Sequence, residues 1–273
     1  MMADPFGEFE KRGWNEGRAD PYHHGIAAIT TRAIDPLLDA AGVATGMRVL
    51  DIATGPGYVA ARAAERGADT VGIDFSPEML ELAGRLHPEP EFREGDANAL
   101  PFEDESFDVV VANFLMPPLS DLPGAVREAV RVTRAGGRVG LTTWDAPQRT
   151  RFVGAVIDAL AGAGASMPDD LPAGPSIFQY SPDREFMKLL LDAGLSEPIV
   201  ERISFTHHID DLDDFWADVL GGTVRTTVMI TSQPPETQAE IRRRYGELLE
   251  PYRTDDGWDI PCSVKLGSAQ KPA

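Results

Sequence analysis

Three things are scarce in this 273-residue chain: cysteine, basic charge and long apolar runs. A single cysteine, Cys262, rules out an intrachain disulfide and a thiolate-rich metal cluster, which suits a reducing compartment. With 44 Asp and Glu against 25 Lys and Arg, the formal charge of −19 repels a polyphosphate backbone, so no nucleic-acid partner is expected. No apolar run approaches a membrane span, and the charged stretch MMADPFGEFEKRGWNEGRAD holds no apolar core of signal-peptide length. A cytoplasmic protein without a membrane partner is the expectation. Internal repeats of solenoid period are absent, and nothing has the convergent His, Cys, Asp or Glu spacing of a metal site. The length suits one large α/β domain spanning residues 1–273.

What is present is punctuation. In residues 49–60, VLDIATGPGYVA, an apolar strand ends on Asp51, and a turn through Gly55 and Gly57 leads into a helix near Tyr58. Glycine leaves no side chain in the way, so backbone N–H groups at such a turn can approach a nucleotide-type ligand closely. Gly55-Pro56-Gly57-Tyr58-Val59-Ala60 also fits the G-x-G-x-x-A form of a dinucleotide fingerprint. Charge separates the two readings: a pyrophosphate beside Asp51 is repelled, whereas a ligand with an ammonium and a sulfonium is attracted. About twenty residues on, TVGIDFS reads as a second strand ending on Asp74, placed to accept hydrogen bonds from ribose hydroxyls. Gly95-Asp96-Ala97, Leu100-Pro101-Phe102 and SFDVVVAN then mark a third strand end and a fourth strand.

As an ordered set, D-I-A-T-G-P-G, G-I-D-F-S and G-D-A-N-A-L-P-F-E-D-E-S-F-D-V-V resemble the class I S-adenosylmethionine-dependent methyltransferases of small-molecule type, over residues 46–145. Ala53 stands where the family usually has its first glycine, a change that fits if this residue does not need positive φ. The resemblance implies a Rossmann-like, doubly wound, seven-stranded and mostly parallel sheet with helices on both faces, its antiparallel last strand inserted between strands five and six. It implies S-adenosyl-L-methionine as cofactor: Asp51, Ala53, Gly55 and Gly57 at the methionine end, Asp74 on the ribose, Phe75 and Met79 against the adenine. Asp96 and Ala97 would contact the adenine edge, with Asn113 and Phe114 beside the sulfonium. Nucleic-acid amino-methyltransferases carry an N/D-P-P-Y/F tetrapeptide where this chain reads Asn113-Phe114-Leu115-Met116.

The remaining elements follow from period and punctuation. Residues 1–18 are expected to be disordered or to fold over the site as an arm, and a helical stretch runs from Pro21 to Ala41, stopped by Gly42. Strands are expected near 47–52, 138–143, 198–209 and 259–268, with helices near 58–66, 77–86, 122–130, 151–162 and 182–193. Where the plain fold needs only a hairpin, residues 211–257 supply two amphipathic helices, a helical insertion expected to cap the acceptor pocket or to form a homo-oligomer interface. Thus 1–45 form an N-terminal arm and helix, 46–145 a cofactor-binding core and 146–273 an acceptor-side half.

Histidine titrates near working pH, so His23, His24, His207 and His208 are the candidate general bases, with His23 and His24 preferred. Tyr22 beside them, Met116 and Trp144 are the candidate acceptor contacts, within a wider aromatic set of Phe114, Phe178, Phe215 and Trp216. A small-molecule acceptor, apolar or aromatic and methylated on oxygen, is expected. Alternatives remain open: an S-adenosylmethionine-binding protein that catalyses a cyclisation, or an NAD-dependent oxidoreductase.

Overall fold

Asp4-Pro5, Ser76-Pro77 and Asp121-Leu122-Pro123 each place a side-chain acceptor just ahead of a proline, which has no N–H to leave unsatisfied in a first helical turn. In the computed structural model, which describes residues 4–115 and 119–273, all three open helices. Asp4 accepts from the Gly7 amide at 3.0 Å, Ser76 from Met79 at 3.4 Å and Asp121 from Gly124 at 2.8 Å.

The N-terminal helices are α1 (Pro5–Trp14), α2 (Ala19–His24), α3 (Ala27–Thr30) and α4 (Ile34–Ala41). The alternating core follows as β1 (Arg48–Ile52), α5 (Tyr58–Glu65), β2 (Asp69–Asp74), α6 (Pro77–Leu86), β3 (Glu91–Glu94), β4 (Phe107–Ala112), α7 (Leu122–Val132) and β5 (Thr133–Trp144). Then come α8 (Arg151–Gly162), α9 (Asp183–Asp192) and β6 (Ser196–Ile209). The chain closes with α10 (Leu212–Gly221), α11 (Arg225–Thr231), α12 (Pro235–Leu249) and β7 (Trp258–Gln270).

Seven strands form one sheet in the order β3-β2-β1-β4-β5-β7-β6, with β7 antiparallel to both its neighbours. The last strand is therefore inserted beside β5, as the resemblance implies. Because side chains alternate across a strand, Val49, Val109 and Val111 pack on α4 and α5, while Leu50, Val110 and Ala112 pack on α7. The sheet is covered on both faces. The carboxyl ends of β1, β2, β4 and β5 consequently open on one edge, where the loops that follow them converge.

Of the two readings of residues 1–18, disorder gives way over residues 5–14 to an ordered helical arm, anchored by Phe6, which is 3% exposed. Two expectations change. The stretch from Pro21 to Ala41 is not one helix: it breaks at Gly25, where a Cβ would lie 2.5 Å from the Cβ of Asp218 on α10. Close approach of another element, invisible to local pattern, decides that break. Finally, residues 211–257 hold a third helix, and α12 packs on α8 with Ile241, Tyr245 and Leu249 wholly buried. This segment is core as well as cover.

Candidate active site

A cavity of about 190 Å³ opens at that sheet edge. Its cofactor side is built from loop backbone. Ala53, Thr54, Gly55 and Pro56 line it after β1, and Asp74, Phe75 and Met79 after β2. Gly55 adopts φ +52°, and a Cβ added to it would meet nothing within 4 Å, so its bare face is open to a ligand. Gly57 (φ +83°) has a different job: a Cβ there would lie 2.6 Å from Phe92 Cζ, so this glycine serves helix packing and does not line the cavity. Ala53 adopts φ +54°, a left-handed backbone at which alanine is strained by roughly 1–2 kcal/mol relative to glycine. The condition under which alanine would fit here without cost, a residue that needs no positive φ, is not met. Phe114 is also left-handed at φ +60°, so two strand-end residues lining the cavity carry backbone strain.

The two strand-end carboxylates differ. Asp74 is 7% exposed; its Oδ2 accepts from the Gly55 amide and its Oδ1 from the Ser76 amide, both at 2.9 Å. It thus shapes the glycine turn while keeping lone pairs for ligand hydroxyls. Asp51 is 1% exposed; its Oδ2 accepts from Thr54 Oγ1 at 2.5 Å and from the Ala60 amide at 3.2 Å, and its Oδ1 is buried with no partner among the described residues. Burial pushes the Asp51 carboxyl up to about 7 and that of Asp74 to about 6. Asp51 does not itself line the cavity; its orphaned oxygen lies buried at the end of β1, ahead of the lining residues Ala53 to Pro56, and fits a cofactor with a positively charged amino group, as S-adenosylmethionine has.

The acceptor side is aromatic. Phe114 stacks at 4.1 Å between centroids against Trp144, which meets Phe152 at 5.2 Å; all three line the cavity. Polar bonds hold this wall. The Phe114 amide donates to Thr142 Oγ1 at 3.0 Å, Thr142 donates to Asn113 Oδ1 at 2.6 Å, and Asn113 Nδ2 donates to the Thr30 carbonyl at 3.1 Å. Asn113 thereby ties the end of β4 to α3. Tyr22 completes the wall, its hydroxyl 2.9 Å from Thr30 Oγ1.

Not every expected residue is brought in. Asp96 is exposed and accepts from the Asn98 amide at 2.8 Å; neither it nor Ala97 lines the cavity. His23 and His24 stand outside the wall, but Nδ1 of His23 hydrogen-bonds the hydroxyl of Tyr58, which lines it. His24 packs on His23 with centroids 4.7 Å apart. Phe178, Phe215 and Trp216 share the apolar cluster of Trp144 and Phe152 without lining the cavity, Phe215 packing on Phe152 with centroids 6.1 Å apart, and Met116 lies outside the described residues. Conversely, Glu10, Trp14, Ile177 and Arg225 line the cavity without having been singled out from sequence. Asp4-Pro5 ahead of Phe6, Glu10 and Trp14 carried the signal for the first two.

The family described as "Methyltransferase domain" matches residues 50–141. A demethylmenaquinone methyltransferase of Renibacterium salmoninarum is 35% identical over 144 residues, which are 53% of this chain and 61% of that one. One from Paenarthrobacter aurescens is 31% identical over 176 residues, 62% of this chain and 70% of its own. The chain thus spans less than two-thirds of the former's length. Among solved structures, the YcgJ protein of Bacillus subtilis shares the fold at a TM-score of 0.59 and 22% identity, covering 89% of this chain and 99% of its own. The fold is that of a Rossmann-like domain with a cavity at the carboxyl ends of its parallel strands. The chain belongs to the class I S-adenosylmethionine-dependent methyltransferases, and S-adenosylmethionine is its cofactor. Among the described residues no helix is long and apolar enough to cross a membrane, and no cluster of three or more His, Cys, Asp or Glu could hold a metal.

Proposed function

We propose that the protein methylates the hydroxyl of a small, mostly apolar or aromatic acceptor. One observation carries this reading: the open face of Gly55 and the Asp74 carboxylate share a single cavity with the Phe114, Trp144 and Phe152 wall. Several curated relatives are named demethylmenaquinone methyltransferase, and an aromatic acceptor of quinone type suits such a wall.

S-adenosylmethionine supplies a methyl group already activated on a sulfonium, so the protein's tasks are alignment, exclusion of water and proton removal. In this reading Asp51 and the Gly55 turn hold the methionine end, Asp74 the ribose, Phe75 and Met79 the adenine. Asp96 and Ala97 are assigned to the adenine edge and Asn113 to the methionine end on the strength of the family resemblance. Tyr22, Phe114 and Trp144 sandwich the acceptor. The acceptor's proton passes to the Tyr58 hydroxyl while the Tyr58 proton passes to Nδ1 of His23, with His24 packed behind. His23 thus acts through Tyr58.

The test is a labelled-methyl screen over phenols, naphthols, aliphatic alcohols and amines, with the product's methylated atom assigned by mass spectrometry. Transfer to an aromatic hydroxyl is expected. Transfer to nitrogen or ring carbon overturns O-methylation, and calorimetric cofactor binding without transfer to any acceptor class favours a cyclisation instead.

A further inference from the structure

Two close approaches set the rotation of α1. Gly13 lies so near Val224 that a Cβ would stand 2.4 Å from Cγ1, and Gly174 lies so near Phe6 that a Cβ would stand 2.2 Å from its ring. Held on those two sides, the helix presents Glu10 and Trp14, four residues apart and so on one face, to the cavity. Glu10 is 5% exposed. Trp14 Nε1 donates to its Oε2 at 3.2 Å, while Oε1 receives no hydrogen bond from the described residues.

The nearby cations pull on Glu10 electrostatically but hydrogen-bond to backbone carbonyls, with Arg18 Nε left buried and unpartnered among the described residues. Arg18 Nη1 donates to the carbonyls of Leu220 and Gly221, both at 3.0 Å, and Arg225 Nη1 to the carbonyl of Pro172 at 2.7 Å. No ion pair to Glu10 forms among the described residues. A carboxylate this buried, lining a ligand cavity with one oxygen free of hydrogen bonds from the described residues, is placed to take a donor from what fills the cavity. Asp74, the other carboxylate in the wall, already accepts two backbone bonds.

We propose that Glu10 is an acceptor-binding residue that takes a hydrogen bond from a hydroxyl of an uncharged aromatic acceptor, a role that rests on the cavity being the acceptor site. Charge selects the donor. Arg225 lines the same wall and Arg18 stands close, so the attraction of Glu10 for an ammonium is opposed by two cations, while an acceptor carboxylate meets Glu10 itself. A neutral hydroxyl satisfies Oε1 without either cost. Burial pushes the Glu10 carboxyl up to about 7 against the opposing pulls of Trp14, Arg225 and Arg18, so its strength as an acceptor rises through neutrality.

The probes are 2-naphthol, naphthalene and 2-(aminomethyl)naphthalene, titrated by calorimetry into the cofactor-saturated wild-type, Glu10→Gln and Glu10→Leu proteins. Bonds to a charged acceptor correspond to roughly tenfold to hundredfold in affinity. Wild type is expected to prefer 2-naphthol over naphthalene by about that factor at pH 8 and by less at pH 6. Both variants should lose the preference and its pH dependence while keeping wild-type cofactor affinity, which also certifies their fold. Equal 2-naphthol to naphthalene ratios in all three proteins overturn the proposal, as does tighter wild-type binding of the ammonium probe. Because the readout is binding, a failed methyl screen leaves this test intact, and an unchanged ratio in an active enzyme removes Glu10 alone.

Discussion

On the cofactor side, Ala53, Gly55, Asp74 and Met79 come from 27 consecutive residues, each placed by the strand end just before it. On the acceptor side, Glu10, Tyr22, Phe152, Ile177 and Arg225 come from stretches separated by more than two hundred residues. The first wall is made by loops whose conformation is set within a few residues. The second is made by helices that have a place only once α1, α2, α8, α10 and α11 have docked. A local wall tolerates change in the rest of the chain; an assembled one couples substrate contact to core packing.

That contrast breaks most sharply on excision. Leu212, Phe215, Val219, Ile241, Tyr245 and Leu249 are all buried, and at about 1.5–3 kcal/mol each their loss amounts to roughly 9–18 kcal/mol. That matches or exceeds the whole stability of an ordinary domain. Replacing 211–257 by a hairpin is therefore expected to abolish cooperative unfolding in thermal circular dichroism. A truncated chain that melts cooperatively and still binds cofactor would show the segment to be a detachable cap.

Changing His23 and His24 together to Gln probes the junction of the two sides, because His23 reaches the cavity through Tyr58. If the relay carries the proton, kcat falls about 10²–10⁴-fold with cofactor affinity unchanged, and the acidic limb of the pH–rate profile disappears. A retained limb sinks the relay.

Asp51 sharpens the cofactor side through pH. Its folded pKa, about 7, lies above the ordinary carboxyl value of 3.8, so the folded state holds the proton more tightly than the unfolded state does. The cofactor-free protein's stability from this group is full below pH 3.8 and is lost as pH rises through about 7, by at most about 4 kcal/mol. Asp51→Asn should flatten that slope in urea melts at pH 5 and pH 8, and weaken cofactor binding. A parallel slope in wild type and variant would show that Oδ1 is not a buried orphan.

Asp74→Ala is expected to weaken cofactor binding by about 1.5–3 kcal/mol in calorimetry, through lost bonds to ribose and a loosened Gly55 amide. Unchanged affinity removes Asp74 from the site. The smallest effect belongs to Tyr245, whose wholly buried hydroxyl has no partner among the described residues. Tyr245→Phe should stabilise the fold by about 1 kcal/mol without altering cofactor binding; a lower melting temperature would mean that the hydroxyl is satisfied.

Sequence by itself determined the alternating core, the glycine turn after β1 and the strand-end acids Asp51 and Asp74. Each rests on short-range rules: period two in strands, positive φ at glycine and capping at Ser76. Tertiary structure alone decided that Ala53 is left-handed, that the N-terminal helix breaks at Gly25 against Asp218, and that Gly55 faces the cavity while Gly57 faces Phe92. It also decided that Glu10 and Arg225 share a wall with Trp144. No local pattern carries these facts, because each depends on which distant element fills the space beside a residue, and that is settled only when the whole chain packs.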